Sequence, residues 1–165
     1  LPLSVAEYIQ QMTALRQAMI KRDGIRVIPH VQEFVKGLSQ AGLKLAVASS
    51  SSLAEIKVNL AEIGLSEYFS EVVSTEEVAH SKPAPDVYLA AAERIGIMPE
   101  NCLGIEDTKN GTGAVRNAGM VCVGFANPAF PKQDLAFADR VVSSFSELDA
   151  DSLTKIYQKV RASHA

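Results

Sequence analysis

The stretch Cys102-Leu103-Gly104-Ile105-Glu106-Asp107-Thr108 indicates most clearly how this 165-residue chain folds. An apolar run of strand length ends in two adjacent carboxylates, and a glycine-bearing turn then leads into a helical segment over 112–118. Four further runs have the same apolar character: 43–48, 71–74, 121–125 and 140–142. Because apolar strands alternate with helical segments, the sequence predicts an α/β fold with a mainly parallel sheet and helices on both of its faces.

Helical spacing of apolar residues marks the segments that separate these strands. The predicted helices are 31–40, 53–63, 86–95 and 151–161, and one more covers 3–20. Arg26-Val27-Ile28-Pro29 reads as an extended linker, since the residue before a proline is pushed towards β geometry. We therefore expect a domain boundary there, with residues 1–25 in one unit and residues 26–165 in the other.

Composition and charge argue against several classes of function. The formal net charge is −3 and the pI is near 5.6, which disfavours a nucleic-acid or anionic-membrane partner. No apolar run reaches the roughly 20 residues that a membrane-spanning helix needs. Cys102 and Cys122 lie in short apolar runs, where a buried hydrophobic role is favoured over a disulfide or metal site. A reducing, cytoplasmic setting is expected.

Three polar segments follow predicted strands, at the edge where parallel α/β sheets bind ligands. The first is Ser49-Ser50-Ser51-Ser52, which leads directly into the helix from Leu53. Hydroxyl groups and free amides at a helix start attract an anion such as phosphate. A serine-rich turn that only caps the helix explains the same pattern equally well.

The second polar segment holds one lysine in a stiff loop. Lys82 stands between Ser81 and Pro83, and Pro85 follows soon after. A lysine is a compact positive charge that suits a phosphoryl oxygen, and the prolines restrict the loop that carries it. The alternative is a solvated lysine in a loop that merely starts a helix.

The third polar segment places Glu106 and Asp107 side by side at a strand end. Two neighbouring carboxylates repel each other unless a cation or a proton intervenes. Mg²⁺ fits such a pair, because it takes one or two carboxylates together with phosphate and water. The alternative is that Asp107 or Thr108 only caps the helix that follows.

The runs S-K-P-A-P-D at 81–86 and G-I-E-D-T-x-x-G at 104–111 together resemble the haloacid dehalogenase-like hydrolases. The resemblance is greatest to the branch of β-phosphoglucomutase and phosphoglycolate phosphatase, whose members carry a helical cap. It implies that residues 26–165 form a Rossmann-like three-layer core and that residues 1–25 are the last part of the cap.

The resemblance also assigns roles to the three polar segments. It implies that Ser49 binds the transferring phosphoryl group, with Ser50 and Ser51 offering amides beside it. Lys82 is implied to clamp the phosphate and to act with Ser49 in catalysis. Asp107 is implied to be a direct Mg²⁺ ligand, and Glu106 a further ligand or an acceptor behind it.

One part of the family pattern does not appear in the chain. Members begin with an apolar strand that ends in D-x-D, whose first aspartate attacks phosphorus. The only D-x-D here is Asp149-Ala150-Asp151, which reads as a helix start. The nucleophile is therefore expected upstream of residue 1.

The same missing strand matters for folding, because in the family it lies between the strands that match 43–48 and 102–106. Losing it would leave backbone groups unpaired on both neighbours, at about 1–3 kcal/mol for each buried group. We expect that the chain alone does not form the usual core. An N-terminal segment, a second chain or a rearrangement of the two strands would then be needed to complete the sheet.

The sequence thus predicts part of an Mg²⁺-dependent phosphoryl-transfer enzyme that acts on a small phosphorylated metabolite. Phosphatase and sugar-phosphate mutase both remain open, and the chain alone is expected to be inactive. A second hypothesis is a truncated module that only binds phosphate and Mg²⁺ or offers interaction surfaces. A receiver-like phospho-acceptor module fits poorly, since Glu106 and Asp107 at a mid-chain strand do not form the acidic acceptor cluster that it needs.

Overall fold

A computed structural model of the chain describes residues 4–163. The helices are α1 (Val5–Asp23), α2 (Val31–Gln40), α3 (Leu53–Glu62), α4 (Asp86–Ile95), α5 (Lys109–Asn117) and α6 (Ala150–Ala162). The strands are β1 (Ala46–Ser49), β2 (Glu71–Ser74), β3 (Leu103–Glu106), β4 (Val121–Phe125) and β5 (Arg140–Val142). These elements alternate along residues 31–162 as the sequence predicts.

Local capping explains where the helix bounds differ from the predicted ones. The hydroxyl of Ser4 accepts the amide of Glu7 at the start of α1, and Gly24, with a φ of 74°, ends that helix. Position 3, where the helix was predicted to begin, lies outside the described residues. Helix α5 begins at Lys109 rather than at 112, because the Thr108 hydroxyl accepts the amide of Gly111 at 3.0 Å.

All strand pairs are parallel, which confirms the predicted α/β class. Strand β1 pairs with β2 and places Ala48 opposite Val73. Strand β4 pairs with β3 on one side and with β5 on the other, with Ile105 opposite Val123. The carboxyl ends of the strands, where ligands bind in such folds, therefore lie along one edge within each group.

The core consists of two apolar clusters on opposite faces of the strands. Cys122 and Val123 are adjacent in β4, so their side chains point to opposite faces, and both are fully buried. Val123 belongs to the cluster that α2 and α6 cover, and Cys122 belongs to the cluster that α4 and α5 cover. This arrangement is the predicted three-layer sandwich. Cys122 has the buried role expected of it, whereas Cys102 is half-buried.

The strands form two separate hydrogen-bonded groups within residues 4–163, β1 with β2 and β3 with β4 and β5. Every residue of β4 is buried, whereas all of β1 and most of β3 are only half-buried. An interior strand of a parallel sheet is normally buried on both faces. We call the unpaired sides of β1 and β3 the open edges. Whether the chain folds without another strand between them stays a prediction.

Helix α1 exposes a stripe of apolar side chains at helical spacing: Tyr8, Met12, Leu15 and Met19. An ion pair of 2.9 Å between Arg16 Nη1 and Glu55 Oε1 connects α1 with α3. The domain boundary at residue 25 stays a prediction. None of the helices between residues 4 and 163 is long and apolar enough to cross a membrane.

Candidate active site

Lys82 is mostly buried and bridges the two groups of strands. Its Nζ donates a hydrogen bond to the carbonyl oxygen of Ala48 in β1, at 3.1 Å, and another to Glu106 Oε1 at the end of β3. Only 12% of the Lys82 side chain and 9% of the Glu106 side chain are exposed. The alternative of a solvated lysine is therefore wrong for this structure.

The loop that carries Lys82 is fixed from both sides. Within it, the amide of Ala84 donates to the carbonyl of Ser81 at 3.0 Å. From α5, Asn117 Nδ2 donates to the carbonyl of Pro83 at 3.0 Å. These contacts limit the positions that the lysine amine can take, as the prolines of this loop predict.

Both oxygens of the Glu106 carboxylate accept hydrogen bonds from the protein. Oε1 accepts from Lys82 Nζ and from the hydroxyl of Tyr88. Oε2 accepts from the amide of Asp107 at 3.2 Å and lies 3.5 Å from the Thr108 hydroxyl. A Cβ atom at Gly111 would overlap this carboxylate, so the glycine allows α5 to approach it closely.

Tyr88 is a site residue that the sequence reasoning missed. It lies in the first turn of α4, is 7% exposed, and has its ring 5.0 Å from Lys82 Nζ. Burial, and next the charge of Glu106, raise the pKa of Tyr88 above its ordinary value, so the hydroxyl remains a donor. On the apolar face of a helix a tyrosine looks like any core residue, and the only available signal was its position six residues after Lys82.

Asp107 lies beside this network and remains exposed. Partial burial of its carboxylate, and next the charge of Glu106, raise the pKa of Asp107 above its ordinary value. Thr108, not Asp107, caps α5. No other side chain among residues 4–163 donates a hydrogen bond to the Asp107 carboxylate. Within this range Asp107 is thus free of side-chain donors, whereas both oxygens of Glu106 already accept hydrogen bonds.

The donor set agrees with Mg²⁺, which takes hard oxygen ligands and needs only one or two carboxylates from a protein. Asp107 can coordinate directly, and Glu106 is already held by Lys82 and Tyr88. Residues 4–163 contain no group of three or more His, Cys, Asp or Glu side chains arranged around a metal position. Further ligands would include phosphate and water, which Mg²⁺ commonly keeps.

The serine segment caps the helix that follows it, which was one of the two roles expected of it, and its role in phosphate binding stays a prediction. Ser52 caps α3 by accepting the amide of Glu55 at 3.3 Å. The hydroxyl of Ser49 accepts the amide of Ser51 at 3.1 Å, and Ser50 is exposed. Within the described residues no hydrogen bond joins Ser49 to Lys82, although Ser49 directly follows Ala48, whose carbonyl the lysine contacts.

A cavity of about 450 Å³ opens next to the acidic pair. Asp107 and Thr108 form one wall, and Phe125, Phe130 and Lys132 line the rest together with neighbouring loop residues. A second cavity, of about 400 Å³, lies between α2 and the start of α6 and shares no residue with this site. Asp149 caps α6 there by accepting the amide of Ser152, so the prediction that 149–151 is a helix start is confirmed.

Comparison with known proteins agrees with this fold. The model of the haloacid dehalogenase-like hydrolase family matches residues 4–125. Fructose-1-phosphate phosphatase YqaB of Escherichia coli is 34% identical over 114 residues, which are 69% of this chain and 58% of that protein. Three other curated relatives are also longer, and the chain spans between 39% and 65% of their length.

Solved structures show the same likeness. CbbY from Rhodobacter sphaeroides in complex with phosphate has a TM-score of 0.77 and 29% identity, over 90% of this chain and 67% of that one. β-Phosphoglucomutase from Clostridium difficile has a TM-score of 0.80 at 24% identity, over 98% of this chain and 71% of that one, which shows the shared fold. The chain belongs to the haloacid dehalogenase-like hydrolase family.

Proposed function

We propose that this chain carries most of the phosphate- and metal-binding half of an Mg²⁺-dependent phosphoryl-transfer enzyme. One observation carries the proposal: a mostly buried lysine joins the carboxyl ends of β1 and β3, next to Asp107, which is partly open to solvent. A positive charge and a metal-binding carboxylate at one sheet edge are what a transferring phosphoryl group needs. The substrate is a small phosphorylated metabolite, and the cavity beside Asp107 supports that size.

Most of the predicted residues have a role in this proposal. The exception is Ser51, whose amide was expected beside the phosphoryl group and instead donates to the Ser49 hydroxyl. Lys82 neutralises charge on the phosphoryl oxygens, and Ser49 with the amide of Ser50 binds the same group. Asp107 holds Mg²⁺, and Glu106 fixes the lysine and the start of α5 behind it. Bound Mg²⁺ supplies electrostatic stabilisation of the charge on the phosphoryl group.

The nucleophile in this proposal is an aspartate on a strand that enters between the open edges of β1 and β3. Such a strand would pair both edges and bring its carboxyl end to Lys82. Support comes from the half-exposed residues of β1 and β3, which an added strand would cover. A segment that precedes residue 1, or a second chain, would supply it.

The chemistry then follows from that geometry. A carboxylate oxygen of the first aspartate attacks phosphorus and the bond from phosphorus to the substrate oxygen breaks. The second aspartate of the D-x-D gives that oxygen a proton, so the substrate leaves as an alcohol. Water next cleaves the aspartyl phosphate and releases inorganic phosphate in a phosphatase. In a mutase, a hydroxyl group of the sugar phosphate takes the phosphoryl group instead.

The second candidate is a module that binds phosphate and Mg²⁺ without turnover. One observation favours this candidate: in the only D-x-D of the sequence, the first aspartate, Asp149, is already engaged as the cap of α6. Between residues 4 and 163 no D-x-D stands at a strand end.

Turnover of p-nitrophenyl phosphate separates the two candidates. The 165-residue chain is compared with the same chain preceded by a strand that ends in D-x-D. We expect hydrolysis only in the extended protein, only with Mg²⁺, and not after replacement of the first aspartate of the added strand by asparagine. If a folded extended protein binds phosphate without hydrolysis, the binding-module candidate is favoured instead.

A further inference from the structure

The hydroxyl of Tyr88 lies at the centre of the site without a role in the proposed reaction. It donates to Glu106 Oε1 and accepts from Lys82 Nζ at 3.3 Å. The residue comes from α4 and not from any of the three polar segments that follow the strands. Its phenol is thus in contact with both charges of the buried ion pair.

We propose that Tyr88 is a positioning residue that frees Lys82 for the phosphoryl group by remaining as a donor to Glu106. The inference rests on the proposed function, because it concerns how the same lysine meets its substrate. It assigns to Tyr88 a contribution to phosphate affinity, and no contact with the reacting atoms.

The argument starts from the three protons of the lysine ammonium group. In this structure Lys82 Nζ has three acceptors: the carbonyl of Ala48, the hydroxyl of Tyr88 and Glu106 Oε1. An arriving phosphate must therefore displace one of them. The bond to Tyr88, at 3.3 Å and to a neutral group, is the weakest and is given up first.

Once phosphate has displaced the Tyr88 hydroxyl from Lys82, that hydroxyl is important for Glu106. As Lys82 turns towards phosphate, its bond to Oε1 weakens, and a buried carboxylate without donors is costly. The Tyr88 hydroxyl is the remaining donor to Oε1 among the described side chains. Without this hydroxyl the phosphate-bound state is destabilised more than the phosphate-free state, so the affinity for phosphate falls.

The test compares Tyr88→Phe with Tyr157→Phe, which removes a phenol that donates to the backbone carbonyl of Glu100 outside the site. Two quantities are measured: the Kd of inorganic phosphate with Mg²⁺ present, and the solvent-exchange rate of the Lys82 ammonium protons by NMR. In Tyr88→Phe we expect Kd to rise about tenfold, as for the loss of one hydrogen bond to a charged group. We also expect faster ammonium exchange, and Tyr157→Phe should change neither quantity.

A double-mutant cycle with Glu106→Gln distinguishes this role from a general loss of packing. If Tyr88 acts through the charge of Glu106, its replacement by phenylalanine should change Kd by less than about twofold when that charge is absent. An equal change of the phosphate Kd with and without Glu106→Gln overturns the proposal. The proposal is also overturned if Tyr88→Phe and Tyr157→Phe have the same phosphate Kd and the same ammonium exchange rate.

The solvent-exchange rate of the Lys82 ammonium protons tests the role of Tyr88 even if the parent protein binds no phosphate. Unchanged Lys82 exchange in Tyr88→Phe then overturns the inference about Tyr88, whereas the missing phosphate binding counts against the proposed function. Should Tyr88→Phe fail to fold, the parent protein is titrated with phosphate and the ring signals of Tyr88 are followed by NMR. The signals must shift on binding, and signals that do not move overturn the proposal.

Discussion

Lys82 Nζ lies 3.1 Å from the carbonyl oxygen of Ala48, although the lysine follows β2 and the carbonyl belongs to β1. Through its second bond, to Glu106, the same amine reaches the end of β3. The lysine thus connects two groups of strands that no ladder joins within residues 4–163. A residue expected to serve catalysis therefore also contributes to the architecture of the fold.

Replacing Lys82 by methionine should lower both stability and activity. The free energy of unfolding should fall by about 3 kcal/mol, because a buried carboxylate loses its partner. Addition of Glu106→Gln should recover part of this loss. Turnover of the complete enzyme should fall at least about a hundredfold. Denaturant unfolding and steady-state kinetics measure the two effects.

The matched control for that prediction is Lys155→Met, since Lys155 pairs with Asp151 on the exposed face of α6. An exposed pair of this kind contributes only about 0.5 kcal/mol. If Lys82→Met is as mild as this control in stability and in turnover, Lys82 has neither of the roles given to it.

Asp107→Asn should abolish most Mg²⁺ binding and its pH dependence. The pKa of Asp107 is raised by burial and by Glu106, and only the ionised carboxylate binds the metal. As pH falls from neutral, Mg²⁺ affinity should therefore weaken at a higher pH than the ordinary aspartate value of about 3.9 would give. Calorimetric titrations between neutral and mildly acidic pH measure this.

The control for the metal prediction is Asp151→Asn, which removes an exposed carboxylate of α6 that lies outside the candidate site. It should leave the affinity for Mg²⁺ and its pH profile unchanged. Equal Mg²⁺ affinity in Asp107→Asn and in the parent protein would rule out Asp107 as the metal ligand.

Gly111→Ala should destabilise the protein by roughly 1–3 kcal/mol, because its Cβ overlaps the Glu106 carboxylate and the site must shift. Gly37→Ala is the comparison, since Gly37 is also helical but its Cβ would meet nothing within 4 Å. That change should be neutral or stabilise by up to about 1 kcal/mol. Thermal unfolding of both variants gives the comparison, and similar losses would mean that the contact with Glu106 is unimportant.

Amide hydrogen exchange should report the open edges of β1 and β3. We expect the amides of both strands to exchange faster than those of β4, which is paired on both sides and fully buried. Attachment of a strand ahead of residue 1 should slow β1 and β3 and leave β4 unchanged. Equal protection of all three strands in the unextended chain would contradict the presence of the open edges.

Much of the fold could be predicted, because local patterns carry it. Apolar runs and helical spacing predict the order of strands and helices from 31 to 162, and the helix start at Asp149 is evident from its position before α6. Helix α5 begins three residues earlier than the periodicity of its apolar residues predicts, because Thr108 caps it there.

The candidate site was only partly predictable. Lys82, Glu106 and Asp107 are distinctive in sequence. The hydrogen bonds that both Glu106 oxygens accept, however, come from donors on different secondary-structure elements and loops. The contact of Tyr88 with Glu106 spans 18 positions, and no local pattern encodes it. Solvation of Lys82 was an open alternative for the same reason, because its burial depends on the packing of α4 and β3 around it.

The most direct measurement traps the phosphoryl group during turnover. The extended protein is mixed with substrate and Mg²⁺, quenched in acid, digested and examined by mass spectrometry. Our account predicts one phosphoryl group on the first aspartate of the strand added ahead of residue 1, and less of it in Lys82→Met. A phosphoryl group on Asp107, or on any other residue of this chain, would contradict it, and so would turnover by the 165-residue chain alone.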